Sequence, residues 1–237
     1  MSARRIGLLG GTFDPIHMGH LDLASGAQAA LALTEVQVIP ANVPPHRAKP
    51  LTSSFHRFAM VAIAVAGRDG WRASDVELRH EAPSYTSTTL QRFESRGYLA
   101  SELYFLIGAD AFADISTWRE YPRILDRANF VVVSRPGCSV SELPARLPAL
   151  SRRMTFDPSG ARDHASTSIF LIDHTTADVS STAIRERLSR GQSIAGLVDP
   201  RVQQHIEQHG LYRSSGIERR GALGADQPAA GRLHDEN

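Results

Sequence analysis

Short apolar runs of strand length alternate with stretches of helical period along most of this chain, and that alternation constrains the fold most tightly. Arg5–Gly10, Val36–Pro40, Leu103–Ile107, Phe130–Val133 and Ile169–Ile172 carry little polar interruption, as strands covered on both faces require. Trp71–Leu78 is a further strand-like stretch. Leu21–Leu33, Ser54–Ala66, Thr86–Ser95, Ala183–Ser189 and Pro200–His209 read as helices, and Gly191 supplies a stop after the fourth. Parallel strands need long crossovers, usually helical. The pattern therefore predicts an α/β protein with a doubly wound, mostly parallel sheet and helices on both faces.

At roughly 100–200 residues per domain, 237 residues make one large α/β domain or two small ones. The pattern runs on to Tyr212 and predicts one domain over residues 1–212. Beyond it large apolar side chains become rare, so 213–237 is expected to be a flexible tail. Residues 144–168 mix Pro, Arg, Asp and Ser without a period and are expected to form a surface loop or insertion. The 26 Lys+Arg nearly balance 25 Asp+Glu, giving +1. That excludes a grossly basic nucleic-acid binder and an acidic solvating chain. No apolar stretch nears the roughly 20 residues a bilayer needs. Ile6–Leu9, behind Arg4 and Arg5, is too short for a signal-peptide core. The single cysteine, Cys138, excludes an intrachain disulfide and a cysteine-rich zinc site and fits a reducing cytoplasm. Small molecules are the expected partners, not nucleic acid or membrane, with homo-oligomerisation left open.

The chemistry concentrates in Gly10–His20, GGTFDPIHMGH. Two glycines end a predicted strand, where backbone turns tightly or approaches a ligand. His17 and His20 share one face at the start of the next helix. Free amides and the helix dipole there favour anions, and two imidazoles can bond phosphate oxygens and oppose developing charge when protonated. The glycine spacing is not G-x-G-x-x-G, and no Walker lysine follows. A chance surface pair or two metal ligands are the competing readings, but no further ligand pattern lies nearby.

Far downstream, Val179–Arg185 reads VSSTAIR. Ser180, Ser181 and Thr182 are N-cap residue types, and Arg185 falls in the first turn, where its charge opposes the dipole. A bound phosphate would compensate, since amides, hydroxyls and guanidinium could meet on one anion. An ordinary cap followed by a solvated arginine is the bland alternative.

The first string resembles the H-x-G-H signature of the nucleotidyltransferase superfamily, and its T-F-D-P-I-H form is most similar to the bacterial nicotinate-nucleotide adenylyltransferase family. The second resembles the superfamily's I-S-S-T-x-I-R, with Val179 for isoleucine. Between them, Pro44–Arg47 resembles the family's P-P-H-[KR]. Ala82–Leu90 resembles its G-P-S-Y-T-x-x-T-L, with Ala82 in place of glycine. Phe105–Asp110, Thr117–Arg119 and Val133–Gly137 resemble its G-x-D, W-[RKH] and V-x-R-P-G elements.

This resemblance implies a Rossmann-like nucleotidyltransferase fold. It implies adenylyl transfer from ATP to nicotinate mononucleotide, giving deamido-NAD (nicotinate adenine dinucleotide) and pyrophosphate in NAD biosynthesis. It implies His17, His20 and Arg185 as catalytic residues. ATP would be held by Gly10, Gly11, Thr12, Phe13, His17, His20, His46, Gly108, Asp110, Ser180, Ser181, Thr182 and Arg185. Nicotinate mononucleotide would be held by Asp14, Tyr85, Thr86, Trp118, Arg119 and Arg135. Mg²⁺ would travel with ATP, held by phosphates and water, with no metal site built by the protein. Acceptors of the nicotinamide or phosphopantetheine kind, and a non-catalytic nucleotide-binding regulator, are the alternatives. Pro40, Pro44, Pro45 and Pro50 make the chain around residues 42–50 a long, stiff-jointed segment, for which closure as a lid is a hypothesis.

Overall fold

The computed structural model describes residues 4–44, 50–158 and 167–213. The expected strands and helices form nearly where the pattern places them. In chain order they are β1 (Ile6–Gly11), α1 (Met18–Leu31), β2 (Glu35–Pro40), α2 (Ser54–Val65), β3 (Trp71–Ala73), α3 (Thr86–Glu94) and β4 (Leu103–Gly108). Then follow α4 (Ala109–Phe112), β5 (Asn129–Val133), α5 (Leu143–Arg146), β6 (Met154–Thr155), β7 (Ile169–Ile172), α6 (Ser181–Ser189) and α7 (Pro200–Gln208). The strands make one parallel sheet in the order β3-β2-β1-β4-β5-β7-β6.

Side chains alternate across a strand, so a central strand must feed two cores. Leu106, Val131, Val133 and Phe170 point into one, filled from above by α1, α2, α6 and α7 through Leu21, Met60, Ile184 and Val202. Phe105, Ile107, Phe130, Val132 and Leu171 point into the other, closed by Leu90 and Phe93 of α3, Phe112 of α4 and Leu143 of α5. This explains why β4 and β5 are apolar at every position but Asn129 and Gly108. The buried Asn129 amide is itself satisfied, donating to the Ser101 and Leu103 carbonyls.

β1 pairs with β2 on one side and β4 on the other, so the winding direction reverses between them. At such a switch point a crevice opens beyond the carboxyl ends of the strands. Gly10 and Gly11 end β1 there, and Gly108 ends β4.

Three stretches differ from expectation. Trp71–Leu78 is strand only to Ala73; Ser74 N–H closes onto the Val38 carbonyl and the chain turns. Residues 144–155 are not a surface insertion. They form the end of α5, a 3₁₀ turn (Pro148–Arg153) and edge strand β6, with Leu143 and Leu150 buried in the second core. Each piece is too short to show a period. α1 starts at Met18, three residues before Leu21, because His17 acts as its N-cap. Residues 159–166, the central part of the 42–50 segment and the 214–237 tail lie outside the described residues.

Phe130 is fully buried between β4, β7 and α4. We predict that Phe130→Ala lowers unfolding free energy by about 3–5 kcal/mol, read as a shifted urea midpoint at unchanged slope.

Candidate active site

The loop after β1 is held by more contacts than its chain path needs. Phe13 is buried with φ 51°, a left-handed backbone that non-glycine residues rarely adopt. A Cβ on Gly11 would sit 2.8 Å from the Phe13 ring, so glycine is what lets that ring fold back. Arg57 of α2, 1% exposed, donates to the carbonyls of Thr12 at 2.7 Å, Ala41 at 2.6 Å and Asn42 at 3.3 Å. It thereby ties the β1 loop to the β2 loop. Its charge is neutralised by no direct ion pair among the described residues, and burial lowers its pKa from the usual value. The buried Asp14 carboxylate accepts from Leu51 N–H at 2.8 Å, the Thr52 hydroxyl and the Tyr212 hydroxyl at 2.7 Å. The sequence reading gives Asp14 to the nicotinate nucleotide; in the structure its carboxylate fastens the start of α2 and the end of the domain to this loop.

At the helix start, the His17 backbone N–H donates to His20 Nδ1 at 3.3 Å, and the two rings stack with centroids 3.6 Å apart. Phe13 meets His20 edge-on at 5.0 Å. Burial, helped by the nearby Arg135 charge, drives the His17 pKa down to about 3. His17 is therefore a neutral hydrogen-bonding group near neutral pH, and the cationic role that the sequence allowed for both imidazoles does not fall to it. Its buried Nδ1 finds no hydrogen-bond partner among the described residues. Between the two histidines, a Cβ on Gly19 would lie 2.9 Å from Arg135 Nη1 and 3.0 Å from the Ala177 carbonyl. Arg135 donates to the Gly19 carbonyl at 3.2 Å. The glycine of the motif is thus required by close packing of three chain segments.

The second motif arrives at the same loop. Ser180 caps α6, its Oγ accepting from Ala183 N–H at 3.1 Å. Ser181 Oγ donates to the Pro15 carbonyl at 2.9 Å. Arg185 donates to the Asp14 carbonyl at 2.8 Å and to Thr182 Oγ1 at 3.1 Å. So Ser181 spends its one hydroxyl donor on the loop, Arg185 spends part of its donor capacity there, and Ser180 is a cap. Across the crevice, a Cβ on Gly108 would meet Asp110 Oδ1 at 2.5 Å and Arg135 Cγ at 2.9 Å, which brings Gly108, Asp110 and Arg135 together.

The remaining predicted residues line a neighbouring segment. Ser84 Oγ accepts from the amides of Asn42 at 2.9 Å and Val43 at 3.3 Å. This pins the start of α3 to the chain after β2. Tyr85 is the N-cap of α3, and it makes no side-chain cap bond. Arg119 lies over the Tyr85 ring at 4.7 Å. The half-buried Trp118 meets Phe105 edge-on at 6.1 Å. Beneath them Glu77, 6% exposed, accepts from Thr89 Oγ1. Burial pushes the Glu77 carboxyl pKa up, against the hydrogen bonds of Thr89 and Ser84. His46 lies outside the described residues. The sequence reading misses Arg57, Glu77, Thr52 and Tyr212 as supports. Only Arg57 left a usable signal, since it falls on the same helical stripe as Val61 and Ala64.

A parallel sheet with stacked imidazoles at its switch point, and a distant helix bonded to the loop before them, has the form of an α/β nucleotide-binding protein. A cytidylyltransferase-like family model matches residues 8–187. A Roseiflexus sp. (strain RS-1) protein named "Probable nicotinate-nucleotide adenylyltransferase" is 42% identical over 217 residues, covering 90% of this chain and 100% of that protein. A Desulfatibacillum aliphaticivorans protein of the same name is 38% identical, covering 88% and 99%. The solved Plasmodium falciparum nicotinic acid mononucleotide adenylyltransferase complexed with NaAD superposes with a TM-score of 0.67 at 19% identity, covering 88% of this chain and 97% of that one. The chain belongs to the cytidylyltransferase-like family and, within it, to the nicotinate-nucleotide adenylyltransferases.

Two predictions follow from the supports. His17 binds a proton far less readily folded than unfolded. Its contribution to stability is present above pH 6.5 and is lost as pH falls toward about 3. His17→Asn should therefore flatten the fall in thermal midpoint across that window; an unchanged slope contradicts the assignment. Removing residues 214–237 should leave activity intact, whereas ending the chain at Leu211 removes the Tyr212 hydroxyl from Asp14 and should lower both midpoint and activity.

Proposed function

We propose that this chain transfers the adenylyl group of ATP to nicotinate mononucleotide, with the β1 loop and α6 gripping one triphosphate from two sides. The supporting observation is the pair of bonds from Ser181 and Arg185 to the carbonyls of Pro15 and Asp14, two and three residues before His17. They bring the hydroxyl and guanidinium onto the loop that leads to His17, although the motifs lie far apart in sequence.

In this reading the 5′-phosphate of the mononucleotide attacks the α-phosphorus in line, a new P–O bond forms and pyrophosphate leaves. A phosphate monoester is already an adequate nucleophile, so no covalent enzyme intermediate is required. The protein positions the groups and stabilises charge. His17, neutral, donates a hydrogen bond to a phosphate oxygen. His20 supplies the main stabilisation of charge on the α-phosphate. The remaining guanidinium N–H groups of Arg185, with Thr182 and the first amides of α6, take the leaving pyrophosphate. His46 would assist at the phosphates. Gly10, Gly11, Thr12 and Phe13 shape the floor under the triphosphate, and Gly108 and Asp110 approach the ribose. Arg135, through its contact with Gly19, holds the turn between the imidazoles.

For the acceptor, Trp118 offers a flat face to the pyridine ring. The uncapped amides at Thr86, beside Arg119 and Tyr85, suit a carboxylate better than a carboxamide. Asp14 acts as a support for the loop. ATP is used as its Mg²⁺ complex. The only carboxylate on the β1 loop, Asp14, is already engaged by three donors, and the other groups named are imidazole, hydroxyl and guanidinium. That set suits phosphate, so the ion would be held by phosphate oxygens and water. No helix of the described residues is long and apolar enough to cross a membrane. A single cysteine fits a reducing compartment, and the reading is a cytoplasmic enzyme of NAD biosynthesis.

Pyrophosphate release from ATP, measured with each acceptor separately, tests the reading. Nicotinate mononucleotide should support turnover with kcat/KM roughly tenfold or more above nicotinamide mononucleotide. A phosphopantetheine acceptor should give none. His20→Ala should lower kcat by about 10²–10³-fold while the thermal midpoint stays within a few degrees. Near wild-type turnover in that folded variant would remove His20 from the mechanism.

A further inference from the structure

We propose that three histidines on α2 and α7, away from the β1 loop, form a binding site for one divalent transition-metal ion of the zinc class. His56 lies in the first turn of α2, His205 in the last turns of α7, and His209 is the C-cap of α7. One nitrogen from each ring can be chosen so that all three lie within 4.8 Å of one another. His56 Nδ1 and His205 Nε2 are already 3.2 Å apart. The ring centroids are 5.4 Å apart for His56 and His205, 4.9 Å for His56 and His209, and 4.4 Å for His205 and His209.

These distances match what an ion would need. Zinc–nitrogen bonds are about 2.0–2.1 Å, so two imidazole nitrogens on one tetrahedral ion stand roughly 3.3 Å apart. The His56–His205 pair meets that spacing. Only the exposed His209 ring must swing inward, and its exposure leaves it room to do so. His205 and His209 are four residues apart and so project from one helix face, a spacing that presents two nitrogens to a common point.

The alternative, a cluster held by its own hydrogen bonds, is weak. Three imidazoles can share at most a chain of N–H···N contacts. A neutral imidazole with an available lone pair is the form that ligates metal. The negative end of the α7 dipole lies at His209 and favours a cation there. Imidazole suits zinc, nickel, copper and cobalt(II), whereas Mg²⁺ and Ca²⁺ prefer oxygen ligands. Three protein ligands leave a fourth position for water.

The ion would clamp the last helix of the domain onto α2. Tyr212 follows His209 closely and donates to Asp14, while Thr52, just ahead of α2, donates to the same carboxylate. A bound ion would thus tighten the two chain segments that support the β1 loop. The inference does not rest on the identity of the acceptor nucleotide.

The test uses the full chain without a histidine tag. Co²⁺ is titrated while its visible d–d absorption is recorded, and Zn²⁺ is added in thermal-shift experiments. One Co²⁺ per chain should bind with a tetrahedral spectrum, displaced by Zn²⁺, and Zn²⁺ should raise the thermal midpoint. His56→Gln, His205→Gln and His209→Gln should each abolish the spectrum and the shift, whereas His174→Gln and His20→Gln should retain both. His209 is exposed, so His209→Gln is expected to fold normally, and its metal-free midpoint checks that. Retention of the Co²⁺ spectrum in His209→Gln, its loss in His20→Gln, or binding of no ion by the folded wild type would overturn the proposal.

Discussion

The bonds from Arg185 and Ser181 to two backbone carbonyls are the contacts on which the rest of this architecture turns. Arg185, the fifth residue of α6, brings a guanidinium near the helix N-terminus, where it opposes the dipole. Carbonyl lone pairs of Asp14 and a hydroxyl of Thr182 offset part of that cost. Remaining guanidinium donors are left for an anion. The arrangement asks for the β1 loop to stay in place, and the loop is strained at Phe13. Its supports are accordingly redundant. Gly11 makes room for the Phe13 ring, Arg57 fills three carbonyls, and Asp14 gathers three donors from two other segments. Donors and dipoles fixed before the substrate arrives need not reorganise as charge develops, and electrostatic catalysis depends on that economy.

Burial decides which of the basic groups can carry charge. At His17 desolvation prevails, and the neighbouring Arg135 acts in the same direction, so the imidazole stays neutral. Arg57 is equally buried but resists deprotonation because a guanidinium starts so far above neutral pH. The two stacked imidazoles therefore differ: His17 is buried and neutral, and His20 is half-buried.

Most of the sheet was legible because β4, β5 and β7 sit between two cores and must be apolar on both faces. The helices α2 and α7 were legible from their helical period, and the structure adds their caps, Ser53 and Asp199. Edge elements were legible only in part. β3 lies inside the strand-like stretch Trp71–Leu78 but stops after three residues, and β6, with two, shows no period. The two signature strings placed His17, His20, Ser181 and Arg185 near one another, and the structure brings Ser181 and Arg185 onto the loop that leads to His17. What sequence could not give was the second tier. Glu77 and Thr89 lie twelve residues apart, while Thr52, Tyr212 and Asp14 come from three separate regions. Their polar character alone does not distinguish them from surface residues. The histidines of α2 and α7 stood apart in the chain as well, and only the packing of these helices joins them.

A double-mutant cycle across the two motifs addresses the central claim most directly. The kcat/KM for ATP would be measured in wild type, His20→Ala, Arg185→Ala and the double variant. If both side chains grip one triphosphate, the double loss falls short of the product of the single losses by about tenfold or more, a coupling of at least ~1.4 kcal/mol. Losses that simply multiply would mean the two groups act at independent places, and the shared site would have to be abandoned.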